Sequence, residues 1–124
     1  MENAGYVLIV DDERVIRESS AALLRNAGYQ VTTCGDGAEA LEYYRTSWRQ
    51  VDVILLDFMM PGMTGLQLFA AMREINPKVK SVLVSGYVPE EQIPRILSTG
   101  ITSVIHKPFR FSELAQTLTE TLER

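Results

Sequence analysis

Five side chains able to share one reaction stand just beyond apolar runs. Asp11 and Asp12 follow Val7-Leu8-Ile9-Val10, and Asp57 follows Val53-Ile54-Leu55-Leu56. Ser85 closes the run from Ser81 to Val84, and Lys107 follows Ser103–His106. Carboxylates brought together raise one another's pKa unless a cation offsets them, so a metal is implied. The available ligands are oxygens, with no cysteine or histidine pair at metal spacing, and such a set suits Mg²⁺ or Mn²⁺ far better than Zn²⁺. Mg²⁺ commonly takes one or two carboxylates together with phosphate oxygens, so a phosphoryl ligand would complete its shell. Lys107 is one of three lysines against nine arginines. Its compact charge can pair with a carboxylate and then with a phosphoryl oxygen. Ser85 offers a rotatable hydroxyl to the same oxygens, and Gly86 lets the backbone come close.

Those residues converge only if the runs before them are neighbouring strands. Five short runs rich in apolar or β-branched residues recur, at Tyr6–Val10, Gln30–Thr33, Val51–Leu56, Ser81–Val84 and Ser103–His106. Between and after them, apolar residues fall at helical spacing: Ile16, Leu23 and Ala27, then Leu68, Met72 and Ile75, then Phe111, Leu114, Leu118 and Leu122. Gly28 can end the first helix, Asp36 can cap the second with Glu39 three residues on, Asn76-Pro77 closes the third, and Ser112 can cap the last. Strands alternating with helices require right-handed crossovers, which gives a five-stranded parallel sheet with five helices on its two faces, a doubly wound α/β domain. In such sheets ligands bind beyond the carboxyl ends of the strands, where the five polar residues stand.

At 124 residues with 46% apolar, the chain has the size and composition of one domain, so a single domain over 1–124, with no room for an output domain within it, is expected. Acidic residues outnumber basic ones by 16 to 12, and the net charge of -4 argues against a nucleic acid as direct partner. A single cysteine, Cys34, excludes an intrachain disulfide, and no apolar run is long enough to cross a bilayer, so a cytoplasmic protein is expected. Cys34 is expected to be a small buried hydrophobe, and His106 to point away from its neighbours on the last strand.

Asp11-Asp12 after the first strand, Asp57 followed by Met60-Pro61-Gly62-Met63-Thr64-Gly65, Ser85-Gly86, and Lys107-Pro108-Phe109 together resemble the motif set of response-regulator receiver domains, in order and across the whole chain. The resemblance implies the strand order 2-1-3-4-5, a flavodoxin-like arrangement for which a member of this family is a standard example. It implies that Asp57 accepts a phosphoryl group, that Asp12, Asp57 and the Met59 carbonyl bind Mg²⁺ directly, and that Asp11 binds it through water. Ser85 becomes the hydroxyl that switches, Lys107 the phosphoryl-binding lysine, and the Lys107-Pro108 bond is expected to be cis. The implied partners are a histidine kinase or phosphotransfer protein, and a downstream protein or attached domain at the face of helix 4, strand 5 and helix 5. The chain would not be an enzyme in the ordinary sense, since the transfer and its reversal by hydrolysis act on its own Asp57. It could stand alone or belong to a longer regulator or hybrid kinase, as the Ser85-Gly86-Tyr87 variant suggests.

Three other classes compete. A phosphate-independent binding module of the same fold would not need the full set Asp11, Asp12, Asp57, Ser85 and Lys107. A magnesium-dependent phosphatase would need a second acid and a substrate cap, and a flavin-binding domain would need a Ser/Thr-rich loop after the first strand. Some positions depart from the receiver pattern. Val104, three before the lysine, replaces the usual aromatic and is too short and stiff to report on Ser85 as a ring would. Met59 and Tyr87, two beyond Asp57 and Ser85, are neither acids nor carboxamides, so slow self-dephosphorylation is expected. Pro94 cannot lie inside a helix without disrupting it. The fourth helix is therefore expected to be short, starting near Ile93 or Pro94, with Val88 to Gln92 a mobile loop over the site.

Overall fold

The structure, a computed structural model, describes residues 4–86 and 88–124. Five strands, β1 (Gly5–Val10), β2 (Tyr29–Cys34), β3 (Val53–Asp57), β4 (Ser81–Ser85) and β5 (Ser103–His106), pair in parallel in the order β2-β1-β3-β4-β5. They alternate with α1 (Arg14–Asn26), α2 (Gly37–Ser47), α3 (Gly65–Ile75), α4 (Ile93–Ser98) and α5 (Phe111–Leu122). The doubly wound α/β fold of the sequence is therefore present, with its expected strand order.

Alternation along the central strands divides the core in two. Leu8, Val10, Ile54, Leu56 and Leu83 face a layer containing Leu68, Phe69 and Met72 of α3 and Ala40 and Tyr44 of α2. Val7, Ile9, Val53, Leu55, Val82 and Val84 face Ala21 and Leu24 of α1 and Leu114 and Leu118 of α5. Both faces of β1, β3 and β4 are thus covered, which is why these strands read as unbroken apolar runs. Register then lines up their carboxyl ends: Val10 pairs with Leu56, Asp57 with Val84, and Ser85 with His106.

Caps set several boundaries. The Asp36 side chain accepts from the Glu39 N–H at 2.8 Å, and Gly28 leaves α1 at φ +102. Asn76 is the residue that closes α3. At the other end of α3 stands a capping box absent from the sequence expectations, in which Thr64 and Gln67 bond reciprocally to each other's backbone. The Ser112 cap is corrected. Arg110 occupies the cap position without a side-chain bond, and Ser112 lies inside the first turn. Phe111 already belongs to the apolar stripe packed against the α1/α5 layer, so the helix must begin there. Strand three begins two residues later than expected. Asp52 leaves the ladder because its carboxylate accepts the Tyr6 N–H at 2.8 Å, while its own N–H donates to the Tyr6 carbonyl.

The α4 region matches one expectation and corrects another. The helix is six residues long, starts at Ile93 and carries Pro94 in its first turn, where the missing N–H is harmless. The preceding segment is more structured than a loose loop: Val88 is buried in the core and Glu90–Gln92 forms a 3₁₀ turn.

Candidate functional site

β1 ends in a parallel ladder whose next residue, Asp11, is still fastened to the sheet by its N–H on the Cys34 carbonyl. Its side chain is buried, with one carboxylate oxygen accepting the Glu13 N–H at 2.8 Å. The Arg17 guanidinium, one turn into α1, reaches back to the Asp11 carbonyl at 2.8 Å. This folds Asp11-Asp12-Glu13 over the end of β1. Asp57 is the last residue of β3 and is buried too. Behind it, the Phe58 N–H bonds the Val84 carbonyl and the Gly65 N–H bonds the Phe58 carbonyl. The fit is close enough that a Cβ on Gly65 would stand 2.5 Å from the Asp57 carbonyl oxygen. Lys107 reaches the same point from β5, its backbone N–H held by the Ser85 carbonyl at 2.8 Å and its bond to Pro108 cis.

The Lys107 ammonium lies 3.3 Å from Asp57, 3.5 Å from Asp11 and 3.7 Å from Glu13. All three contacts are long for charge-assisted hydrogen bonds, so the ammonium sits among the carboxylates without being committed to one. Burial would lower its pKa, but Asp11, Asp57 and Glu13 reverse the effect and hold it above the usual lysine value. Asp57 is pushed up to about 6, first by burial and then by the charge of Asp11, with Lys107 opposing both. One carboxylate oxygen each from Asp11, Asp12 and Asp57 can be chosen so that all lie within 4.8 Å of one another. One ammonium therefore leaves negative charge uncompensated, and the oxygen-only donor set fits a hard divalent cation. A cleft of about 440 Å³ opens over these groups, lined by Glu13, Asp57, Met59, Ser85, Gly86 and Lys107.

The structure thus brings together Asp11, Asp12, Asp57 and Lys107, and places Ser85, buried, and Met59, 67% exposed, at the cleft they share. Tyr87 lies outside the described residues. The sequence reasoning missed two contributors. Glu13 joins Lys107 because the Asp11 side chain caps its N–H, a two-residue turn that Asp-Asp-Glu could have signalled. Gly65 is required by the close approach to Asp57, a role that no spacing in the sequence announces. Cys34 is buried and its thiol is pushed up to about 12 by burial first and by Glu39 and Asp36 next, which leaves it inert. His106 is exposed on β5, opposite in face to the buried Ile105, as alternation required, and Val104, two residues before it, is half-buried.

The model of the response regulator receiver domain matches residues 7–119. The chain belongs to that family, whose members serve two-component systems within both sensor kinases and response regulators. It is 32% identical over all its residues to the sensor kinase CckA of Brucella abortus, and 35% identical over 95% of them to the probable transcriptional regulatory protein TcrX of Mycobacterium tuberculosis. It spans 13% and 50% of those two relatives. Among solved structures, the response regulator TrrA of Thermotoga maritima, described as a complex with Mg²⁺ and BeF, superimposes with a TM-score of 0.83 at 29% identity, covering 94% of this chain and 98% of that one.

Proposed function

We propose that Asp57 accepts a phosphoryl group from the histidine kinase or phosphotransfer protein of a two-component pathway, and that the modified domain changes the conformation of its output face. One observation carries this: Asp57, Asp11, Asp12 and Lys107 converge at the carboxyl ends of β1, β3 and β5, beneath an open cleft. Asp12, Asp57 and the Met59 carbonyl would hold Mg²⁺, or Mn²⁺ in its place, with Asp11 acting through a water molecule. When bound, that cation offsets negative charge on the phosphoryl oxygens. The TrrA complex with Mg²⁺ and BeF supports the assignment, because a fluoroberyllate is a tetrahedral anion like a phosphoryl group.

The chain's own residues do the rest. A carboxylate oxygen of Asp57 forms the new bond to phosphorus as the bond to the donor breaks, and the leaving group departs with that electron pair. Lys107, poised between carboxylates, turns its N–H groups toward the phosphoryl oxygens. The Ser85 hydroxyl donates to another of them, drawing the end of β4 toward Asp57. The product is an acyl phosphate on Asp57, later hydrolysed in the same cleft, so the phosphoryl group rests on the protein's own side chain between the two steps. Strain at Ser85 passes through its carbonyl bond to the Lys107 N–H and along the β4–β5 pair toward α4, β5 and α5, the face offered to a downstream protein or attached domain. A cytoplasmic location fits this partner set, and no described helix is long and apolar enough to cross a membrane. The acidic balance speaks against direct nucleic-acid binding.

The test is the intact mass after incubation with a small phosphodonor and Mg²⁺. Gain of one phosphoryl group, lost in Asp57→Asn and in a folded Asp12→Ala variant, is the expected result. Full-rate labelling of either variant refutes the assignment.

A further inference from the structure

We propose that Glu13 is a specificity-determining residue that sorts phosphodonors by charge, its carboxylate disfavouring the more negative donor. The inference rests on Asp57 being the phosphoacceptor and concerns what reaches it. Among the described residues lining the cleft, Glu13 is the one carboxylate besides Asp57. It differs from the other two acids that touch Lys107 in being outside: 59% of its side chain is exposed, against 7% for Asp11 and for Asp57. Its place there is fixed by the backbone. The Glu13 N–H is bound to the Asp11 carboxylate, and its carbonyl accepts the Arg17 N–H at 2.9 Å. Because one ammonium touches both carboxylates, at 3.7 Å and 3.3 Å, Glu13 can be no farther from Asp57 than those two contacts laid end to end.

The charges in the cleft separate by role. Asp11, Asp12 and Asp57 are the cluster that a cation would neutralise; Glu13 lies beyond it and takes up a share of Lys107 instead. A donor arriving over Asp57 brings its own negative oxygens past Glu13 and must win that share of the ammonium. Removing the Glu13 charge therefore has two effects. Release of Lys107 helps every donor alike. Loss of repulsion helps a donor in proportion to its charge, and salt screens it because the carboxylate faces solvent. The dependence on donor charge is what a merely structural role for Glu13 would not produce.

The experiment compares labelling rates of wild type and Glu13→Gln at saturating Mg²⁺, with acetyl phosphate, a dianion near neutrality, and phosphoramidate, a monoanion under the same conditions. Glu120→Gln, which removes an equal charge from an exposed site on α5, is the control. At low ionic strength Glu13→Gln is expected to speed acetyl phosphate labelling roughly three- to five-fold and phosphoramidate labelling by about half that factor. The two factors should approach each other at about 0.5 M salt, and Glu120→Gln should not separate the donors. Equal factors for the two donors at low salt, or slower labelling with either, overturns the proposal while leaving Asp57 as acceptor. Failure of both donors to label the wild type on Asp57 removes the phosphoacceptor assignment and this inference with it.

Discussion

Neutralising Asp57 should make the metal-free protein more stable, and the gain should depend on pH in a direction the site dictates. In the folded chain the Asp57 carboxyl is pushed from 3.8 up to about 6, by burial first and by Asp11 second. The folded protein therefore holds a proton across that interval which the unfolded chain has released. Stability linked to this group is fully present below the lower value and is lost as the pH rises through about 6. At about 1.4 kcal/mol per pH unit, the interval corresponds to about 3 kcal/mol. Asn keeps the shape of the side chain without its charge, and Lys107 retains Asp11 and Glu13 as partners. The value of about 6 already includes the opposing pull of Lys107, so the expected gain is about 3 kcal/mol for Asp57→Asn near pH 8 and almost none near pH 4. Urea unfolding in EDTA at the two pH values measures it. A variant no more stable than wild type near pH 8 would refute the account of Asp57 as a charge confined at a cost. Saturating Mg²⁺ should narrow the gap by stabilising the wild type, since a ligand at about 100 times its Kd contributes about 2.7 kcal/mol.

Three further substitutions probe separate features. Gly65→Ala would force a Cβ against the Asp57 carbonyl at 2.5 Å and the Leu83 side chain at 3.1 Å, and should cost about 1–3 kcal/mol in urea unfolding. Gly86→Ala meets nothing within 4 Å among the described residues and should stay within about 0.5 kcal/mol of wild type; similar losses in the two would remove the packing argument. Among the described residues the buried Ser81 hydroxyl has no hydrogen-bond partner, so Ser81→Ala should leave stability unchanged or raise it by about 1 kcal/mol, and a loss of that size would contradict this. Met59 presents an apolar side chain, 67% exposed, to the cleft over Asp57. Met59→Asn should speed decay of the acyl phosphate by supplying a polar group for the attacking water, and an unchanged or slower decay counts against that role.

The sheet and the convergence of Asp11, Asp57 and Lys107 were legible because they follow from rules that act at short range. An apolar run of four or five residues ending in a charge is a buried strand whose next residue leaves the core, and parallel strands in register bring those next residues together. Less legible was anything decided by competition between neighbours. Asp52 reads as part of strand three by composition, yet its carboxylate outcompetes the ladder for the Tyr6 N–H. Ser112 is a good cap by type, but the Phe111 stripe had to be helical, and packing of a whole helix outweighs about 1 kcal/mol of capping. Conversely Thr64 and Gln67 carry a capping box at the required spacing. Thr64 lies inside the Pro61–Gly65 stretch beside Asp57, so the residue that caps α3 is hidden within a loop whose composition points to the site.

The same competition identifies the part of the fold that is cheapest to reorganise. α3, with eleven residues, buries Gly65, Leu68, Phe69 and Met72, and its first turn is held by reciprocal side-chain bonds. α4 has six residues, one of them buried, and no side-chain cap. Free energies of local opening fall with the number of buried contacts that must be broken, so α4 and the 3₁₀ turn before it lie at the low end for this molecule. Val88 and Ile101 bracket that segment and both are buried, which anchors its two ends in the core. With Val104 too short to swing as a ring would, the switch proposed for Ser85 would pass into this weakly anchored segment rather than into a side chain of β5. Pro94 belongs to the same logic: standing in the first turn, it fixes where α4 can start and keeps that helix short.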